Sequence, residues 1–149
     1  MTLWRISRHP ELDGAGGLRA SARWHTKGRP IVYCAPNPAT ALLEVLVHNE
    51  IDLDDVPANL RYLEIEASDA LAAEDLDTSA LAGSGPADLR ATRGAGDQWL
   101  KSGRTALLRV PSVIVPATWN VLINPRHPDS AQIRVVRTIS YSLDPRLAR

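Results

Sequence analysis

Phenylalanine is absent from this chain of 149 residues, and cysteine and methionine occur once each. Without Phe, the core must be filled by Leu, Val, Ile and the four Trp. The lone Cys34 excludes a disulfide framework within the chain and the usual cysteine-based zinc sites. A single thiol fits a reducing compartment. An excess of one charge is also missing: 17 basic residues balance 17 acidic ones, for a formal net charge of zero. That excludes a dominant non-specific nucleic-acid surface, which needs a basic excess, but leaves room for a local basic pocket. No apolar run approaches the roughly 20 residues that span a bilayer, and residues 1–10 carry no apolar signal core. The expectation is a soluble cytoplasmic protein with no membrane segment, forming one domain over residues 1–149.

The chain instead offers short alternating runs punctuated by Gly and Pro. Thr2 to Ser7 reads as a strand with Leu3, Arg5 and Ser7 on one face and Trp4 and Ile6 on the other. Pro10 and Gly14-Ala15-Gly16-Gly17 read as a loop. Pro30 to Cys34 is a second β-rich run. Asn37-Pro38 starts a helix, with Asn as cap and Pro in the first turn. It is expected to run from about Pro38 to Asn49, with Leu42, Val45, Leu46 and Asn49 along one side. Asp52 to Pro57 reads as an acidic loop, Leu60 to Ala67 as a half-buried strand, and Asp69 to Ala82 as short helix and loop. Asp88 to Ser102 reads as a helix interrupted near Gly94 and Gly96. Ala106–Val110, Val113–Val115, Asn120–Pro125 and Ile133–Tyr141 are strand candidates. Roughly six or seven strands and two or three helices, without regular crossovers, favour an α+β fold over a doubly wound sheet.

Arg23 follows the glycine-rich loop. It reads as a surface arginine beside a core tryptophan, Trp24, or as a phosphate clamp, since a guanidinium is a planar fork for phosphate oxygens. Arg5 reads as an edge-strand charge or a second clamp. Tyr33 reads as a core strand aromatic or as a stacking ring for a ligand. Glu44 is harder to assign to solvent, because Leu42, Leu43, Val45, Leu46 and Val47 leave its helix little polar face, and a carboxylate there needs a partner or a function. Ser112, Asn120 and Asn124 read first as turn residues. No nucleophile elbow surrounds Ser112. His9, His25, His48 and His127 show no metal spacing and read mostly as surface residues. The glycine cluster is neither a dinucleotide fingerprint nor a phosphate loop.

Taken in order, these segments resemble the RES domain family, toxins of RES–Xre toxin–antitoxin systems named for an Arg, a Glu and a Ser. The resemblance is carried by Leu3-Trp4-Arg5-Ile6, Ser21-Ala22-Arg23-Trp24-His25, Ile31-Val32-Tyr33, Ala41-Leu42-Leu43-Glu44-Val45-Leu46, Gly96-Asp97-Gln98-Trp99-Leu100, Val110-Pro111-Ser112, Asn120 to Pro125 and Asp144-Pro145-Arg146-Leu147. Each block is weak alone; the ordered set, spanning nearly the whole chain, is specific. His25 stands where Asn is common, Ser21-Ala22 replaces two glycines, and Cys34 stands near a frequent small polar residue.

The resemblance implies a split, mostly antiparallel sheet with a few helices, like that of ADP-ribosyltransferase toxins, around an NAD⁺ cleft. It implies NAD⁺ as substrate and cleavage of the nicotinamide–ribose bond by hydrolysis or phosphorolysis, causing growth arrest, with no metal. Arg23, Tyr33 and Glu44 would be catalytic. Arg5, Arg23, Tyr33, Ser112 and Asn124 would bind NAD⁺. The implied partner is an Xre-like helix-turn-helix antitoxin that blocks the active site and alone contacts DNA; a homodimer or a higher hetero-oligomer is compatible with this. Three alternatives stay open: an ADP-ribosyltransferase acting on a specific protein, a non-enzymatic nucleotide-binding module, and a structural partner of the antitoxin.

Overall fold

A computed structural model describes residues 1–48, 59–81 and 85–148. Among the described residues, seven strands form two sheets, in chain order β1(Thr2–Ile6), β2(Val32–Cys34), β3(Asn59–Ala67), β4(Ala73–Asp75), β5(Leu107–Pro111), β6(Trp119–Ile123) and β7(Ile133–Ser142). The first sheet is β1-β3-β7, antiparallel throughout; the second is β2-β6-β5-β4, antiparallel except for the β4–β5 pair. Three α-helices among the described residues, α1(Ala15–Arg19), α2(Pro38–His48) and α3(Leu89–Ser102), complete the α+β fold that the pattern of strands and helices anticipates. A bridge between Trp4 and Ala35 joins the end of β2 to β1 across the two sheets.

Side chains alternate across a strand, and the second sheet uses both faces. Val32, Cys34, Leu107, Val121 and Ile123 pack with Leu3, Leu63 and Ile65 of the first sheet. Leu108, Val110 and Leu122 face the other way and pack with Trp24, Ile31, Leu81 and Trp99. Five of these residues, Val32, Leu63, Ile65, Val110 and Leu122, have no measurable exposure. Trp24 and Trp99 thus fill the volume that Phe would otherwise supply.

Four expectations need correction. The Gly14–Gly17 stretch is the start of a helix, α1, rather than a loop. Gly14 has φ +71°, and a Cβ there would lie 2.5 Å from the Ile31 nitrogen, so the turn into α1 requires glycine. Helix α3 is continuous through Gly94 and Gly96. Gly96 is the point of closest packing, where a Cβ would collide with the Trp24 carbonyl. Val113–Val115 is not a strand: Ser112 Oγ accepts from the N–H groups of Ile114 and Val115 and turns the chain. The acidic 69–82 segment contains β4, whose Glu74 and Asp75 pair with Arg104 and Arg109 at 2.8 and 2.5 Å. Ala-Glu-Asp has poor intrinsic strand preference; parallel pairing with β5 imposes the conformation. The Asp52–Pro57 segment, Ala82 and the Asn49 end of the second helix lie outside the described residues.

Candidate active site

The site is assembled from both sides of β2. On one side, the Asn37 Oδ1 accepts from Thr40 N–H at 2.8 Å and starts α2, with Pro38 in its first position. Glu44, a turn and a half later, is only 20% exposed in its side chain. Its Oε1 accepts from Asn120 Nδ2 at 2.7 Å and from Ser112 Oγ at 3.4 Å. Its Oε2 lies 3.3 Å from His48 Nε2, one turn along the same helix. Burial alone would push the Glu44 carboxyl up; hydrogen bonds from His48, then Asn120, then Ser112 outweigh it and hold the group below the usual carboxylate range. Glu44 is therefore an oriented anion at neutral pH.

On the other side, α3 holds the loop that follows α1. Thr92 Oγ1 donates to the Arg23 carbonyl at 2.5 Å and Arg93 Nε to the Ala22 carbonyl at 2.9 Å. Asp97 accepts from Thr26 N–H at 2.9 Å and from Thr26 Oγ1 at 2.7 Å. These residues and Gly96 recur one turn apart, so one face of α3 fixes residues 22–26. Trp24 is buried in the core beneath. Arg23 donates from Nη1 to the carbonyls of Pro86 and Ala87 at 3.2 and 3.3 Å. Tyr33 OH accepts from Trp24 N–H at 3.0 Å and lies 2.8 Å from His25 Nδ1. Burial pushes the Tyr33 phenol well above its ordinary value, so it stays neutral. His25 is 2% exposed, which corrects its reading as a surface histidine.

The register connects the two sides. Tyr33 pairs with Leu122 and shares its face of the sheet; Asn120, two residues back along β6, is on that face as well. Such diagonal neighbours are about 7–8 Å apart. Arg5 follows Trp4, whose bridge to Ala35 brings β1 beside the end of β2. Arg5 lies on the inner face with Leu3, near Cys34. Cys34 is buried and its thiol is pushed up to about 12, chiefly by burial, so it is inert.

Among the described residues, three buried side-chain atoms have no hydrogen-bond partner in the chain: Arg5 Nε, Arg23 Nε and Asn120 Oδ1. Native folds rarely leave such atoms unpaired. Here two are donors on the expected clamps and the third is the acceptor of the amide that holds Glu44. Asn124 behaves differently. It is 4% exposed, sits beyond the opposite end of β6 from Asn120, and its Oδ1 accepts from Arg126 N–H at 3.1 Å. The structure brings Ser112 and Asn120 to Glu44, and not Asn124.

Sequence reasoning missed Asn120 and His48 as partners of Glu44. The Asn120 contact spans 76 positions and has no local signal. His48, four residues after Glu44 on a helix, was findable from spacing alone. Among the described residues, no cluster of three or more His, Cys, Asp or Glu is placed to hold a metal ion. No described helix is long and apolar enough to cross a membrane.

Comparison with known proteins bears on the family and the fold. The family model described as the RES domain matches residues 2–144. A Toxin Res of Pseudomonas putida is 46% identical over 147 residues, covering 99% of both chains. A Prs ADP-ribosylating toxin of Sphingobium sp. is 39% identical over 159 residues, covering 99% of this chain and 97% of its own. In fold, the chain is similar to a protein in the crystal structure of the M. tuberculosis MbcT–MbcA toxin–antitoxin complex, with a TM-score of 0.70 and 18% identity over 99% of this chain and 86% of that one.

Proposed function

The chain belongs to the RES domain family, and from that premise we propose that it is the toxin of a toxin–antitoxin pair that consumes NAD⁺ by breaking the nicotinamide–ribose bond. The observation that carries this reading is the trio of unpartnered buried atoms on Arg5, Arg23 and Asn120, together with the charged carboxylate of Glu44 that Asn120 holds. Two guanidinium donors suit the oxygens of a pyrophosphate. The neutral Tyr33 ring suits stacking against the nicotinamide end.

Glu44 performs the electrostatic part. Departure of nicotinamide leaves positive charge at the anomeric carbon, and a preorganised anion stabilises that charge as it develops. Asn120, Ser112 and His48 aim the carboxylate and prevent it from turning to solvent. The nicotinamide of NAD⁺ is already cationic, so its loss needs no strong general acid. The Arg5 and Arg23 contacts prevent the rest of the substrate from drifting away from the reacting centre. In this assignment Asn120 takes the orienting part that the sequence suggested for Asn124.

A second reading has a specific observation behind it: the 39% identical relative is named an ADP-ribosylating toxin. In that case a protein side chain replaces water or phosphate as acceptor after the same bond breaks. Incubating the purified protein with tagged NAD⁺ separates the two. Free nicotinamide with ADP-ribose, or with ADP-ribose phosphate when phosphate is present, supports NAD⁺ consumption. Label retained on a protein supports transfer. No release of nicotinamide under any condition contradicts both. The partner under this proposal is an antitoxin that covers the cleft, of the Xre-like helix-turn-helix kind, with any DNA contact made by it. Co-expression with the neighbouring reading frame is expected to suppress the growth arrest.

A further inference from the structure

We propose that His25 is a positioning residue for Tyr33: its neutral imidazole, anchored on the Ala20 carbonyl, accepts the one hydrogen bond the Tyr33 hydroxyl can donate and locks the ring in its stacking orientation. This rests on the reading of Tyr33 as the ring against which the substrate packs. Nothing in the family comparison assigns His25 this part.

The hydrogen-bond chain has one consistent direction. The Ala20 carbonyl lies 2.9 Å from His25 Nε2 and can only accept, so Nε2 carries the proton. In the neutral ring Nδ1 is then an acceptor, and the group facing it at 2.8 Å is the Tyr33 hydroxyl, which must donate. The phenol oxygen in turn accepts from Trp24 N–H at 3.0 Å. Every N–H and O–H in the chain is used once, and the Tyr33 hydroxyl has no proton left to offer a ligand. Tyr33 therefore serves the site through its ring. The two rings meet at 52° with centroids 5.7 Å apart, so the imidazole also buttresses the phenol from the side.

The seat is built for this ring. A Cβ on Gly17 would lie 3.2 Å from His25 Nε2 and would collide with the Arg29 carbonyl, so only glycine allows α1 to pack there. Asp97 and Arg93, both on α3, are the charged groups facing the imidazole, with opposite effects on it; the Gly17 and Ala20 carbonyls face it from the α1 side. Protonating Nδ1 would place two N–H donors against the Tyr33 oxygen and force its own hydrogen out of place. The arrangement holds only while His25 is neutral.

Nitrogen-detected histidine NMR of the full chain tests the geometry without substrate. At about pH 7.5 the neutral Nε2–H tautomer is expected for His25, with Tyr33 ring signals shifting together with His25 as it titrates in acid. An Nδ1–H tautomer, or Tyr33 signals indifferent to that titration, overturns the proposal. Kinetics supplies the second arm. His25→Leu removes the acceptor and is expected to raise the KM for NAD⁺ about tenfold, the order of one buried hydrogen bond, with kcat nearly unchanged. His25→Asn, shorter but still an acceptor and unable to titrate, is expected to recover part of that loss and to abolish the His25 limb of the acid pH profile. Wild-type KM in a folded His25→Leu, or an unaltered acid limb in His25→Asn, contradicts it. If the wild-type chain turns over no NAD⁺, the functional reading fails, and the tautomer result still decides the positioning claim.

Discussion

Glu44 is the residue on which the proposed chemistry turns, and its environment gives opposite predictions for activity and fold. Glu44→Gln keeps the shape and the Asn120 contact region but removes the charge. NAD⁺ consumption is expected to fall about 10²–10³-fold, the range for losing one preorganised electrostatic partner, while far-UV circular dichroism stays that of the wild type. The pH dependence follows from the sign of the shift. The folded carboxyl lies below its ordinary value of 4.5, so its contribution to stability is complete above that value and is lost as pH falls through the folded pKa. Urea titrations are expected to show the wild-type advantage over Glu44→Gln shrinking below about pH 4.5. Arg23→Ala is expected to raise KM, and Arg23→Lys to restore little of it, because an ammonium cannot replace a planar fork. Glu44 was legible in the sequence because a carboxylate on an apolar helix conflicts with burial. Of the bonds that keep it charged, only that from His48 was legible, since Asn120 and Ser112 reach it from the β5–β6 hairpin.

Helix α3 shows how an element can be read correctly in extent and wrongly in meaning. Its range was evident, and Asp88 caps it by accepting from Arg90 and Ala91 N–H at 3.0 and 3.2 Å. Its two glycines suggested a break; the structure makes them unlike each other. A Cβ on Gly94 meets nothing within 4 Å, so Gly94→Ala is expected to stabilise the chain by about 0.5–1 kcal/mol through helix propensity. A Cβ on Gly96 collides with the Trp24 carbonyl, so Gly96→Ala is expected to destabilise it by about 1–3 kcal/mol, the usual cost of overpacking. Thermal unfolding of the two variants provides the check, and equal shifts would contradict the packing argument. Because the same face of α3 holds Ala22, Arg23 and Thr26, Gly96→Ala is also expected to impair NAD⁺ turnover, whereas Gly94→Ala is not.

At the scale of the whole molecule, the pattern of strands and helices was enough to predict an α+β fold, and the mostly antiparallel pairing was implied by the family resemblance. Strand order was beyond that pattern, because β1 and β3 pair across 56–64 positions and β2 and β6 across 87–91, contacts that no local pattern encodes. That order brings the β1 strand of Arg5 to the end of β2, which carries Tyr33, and pairs β2 with β6, whose Asn120 holds Glu44. The account stands or falls on what such an arrangement does to NAD⁺. The direct test incubates purified wild-type and Glu44→Gln protein with NAD⁺ and follows nicotinamide release by chromatography, with and without phosphate. Release by the wild type, reduced at least about a hundredfold in the folded variant, is the predicted result. Equal release by both proteins, or none by the wild type, would contradict it.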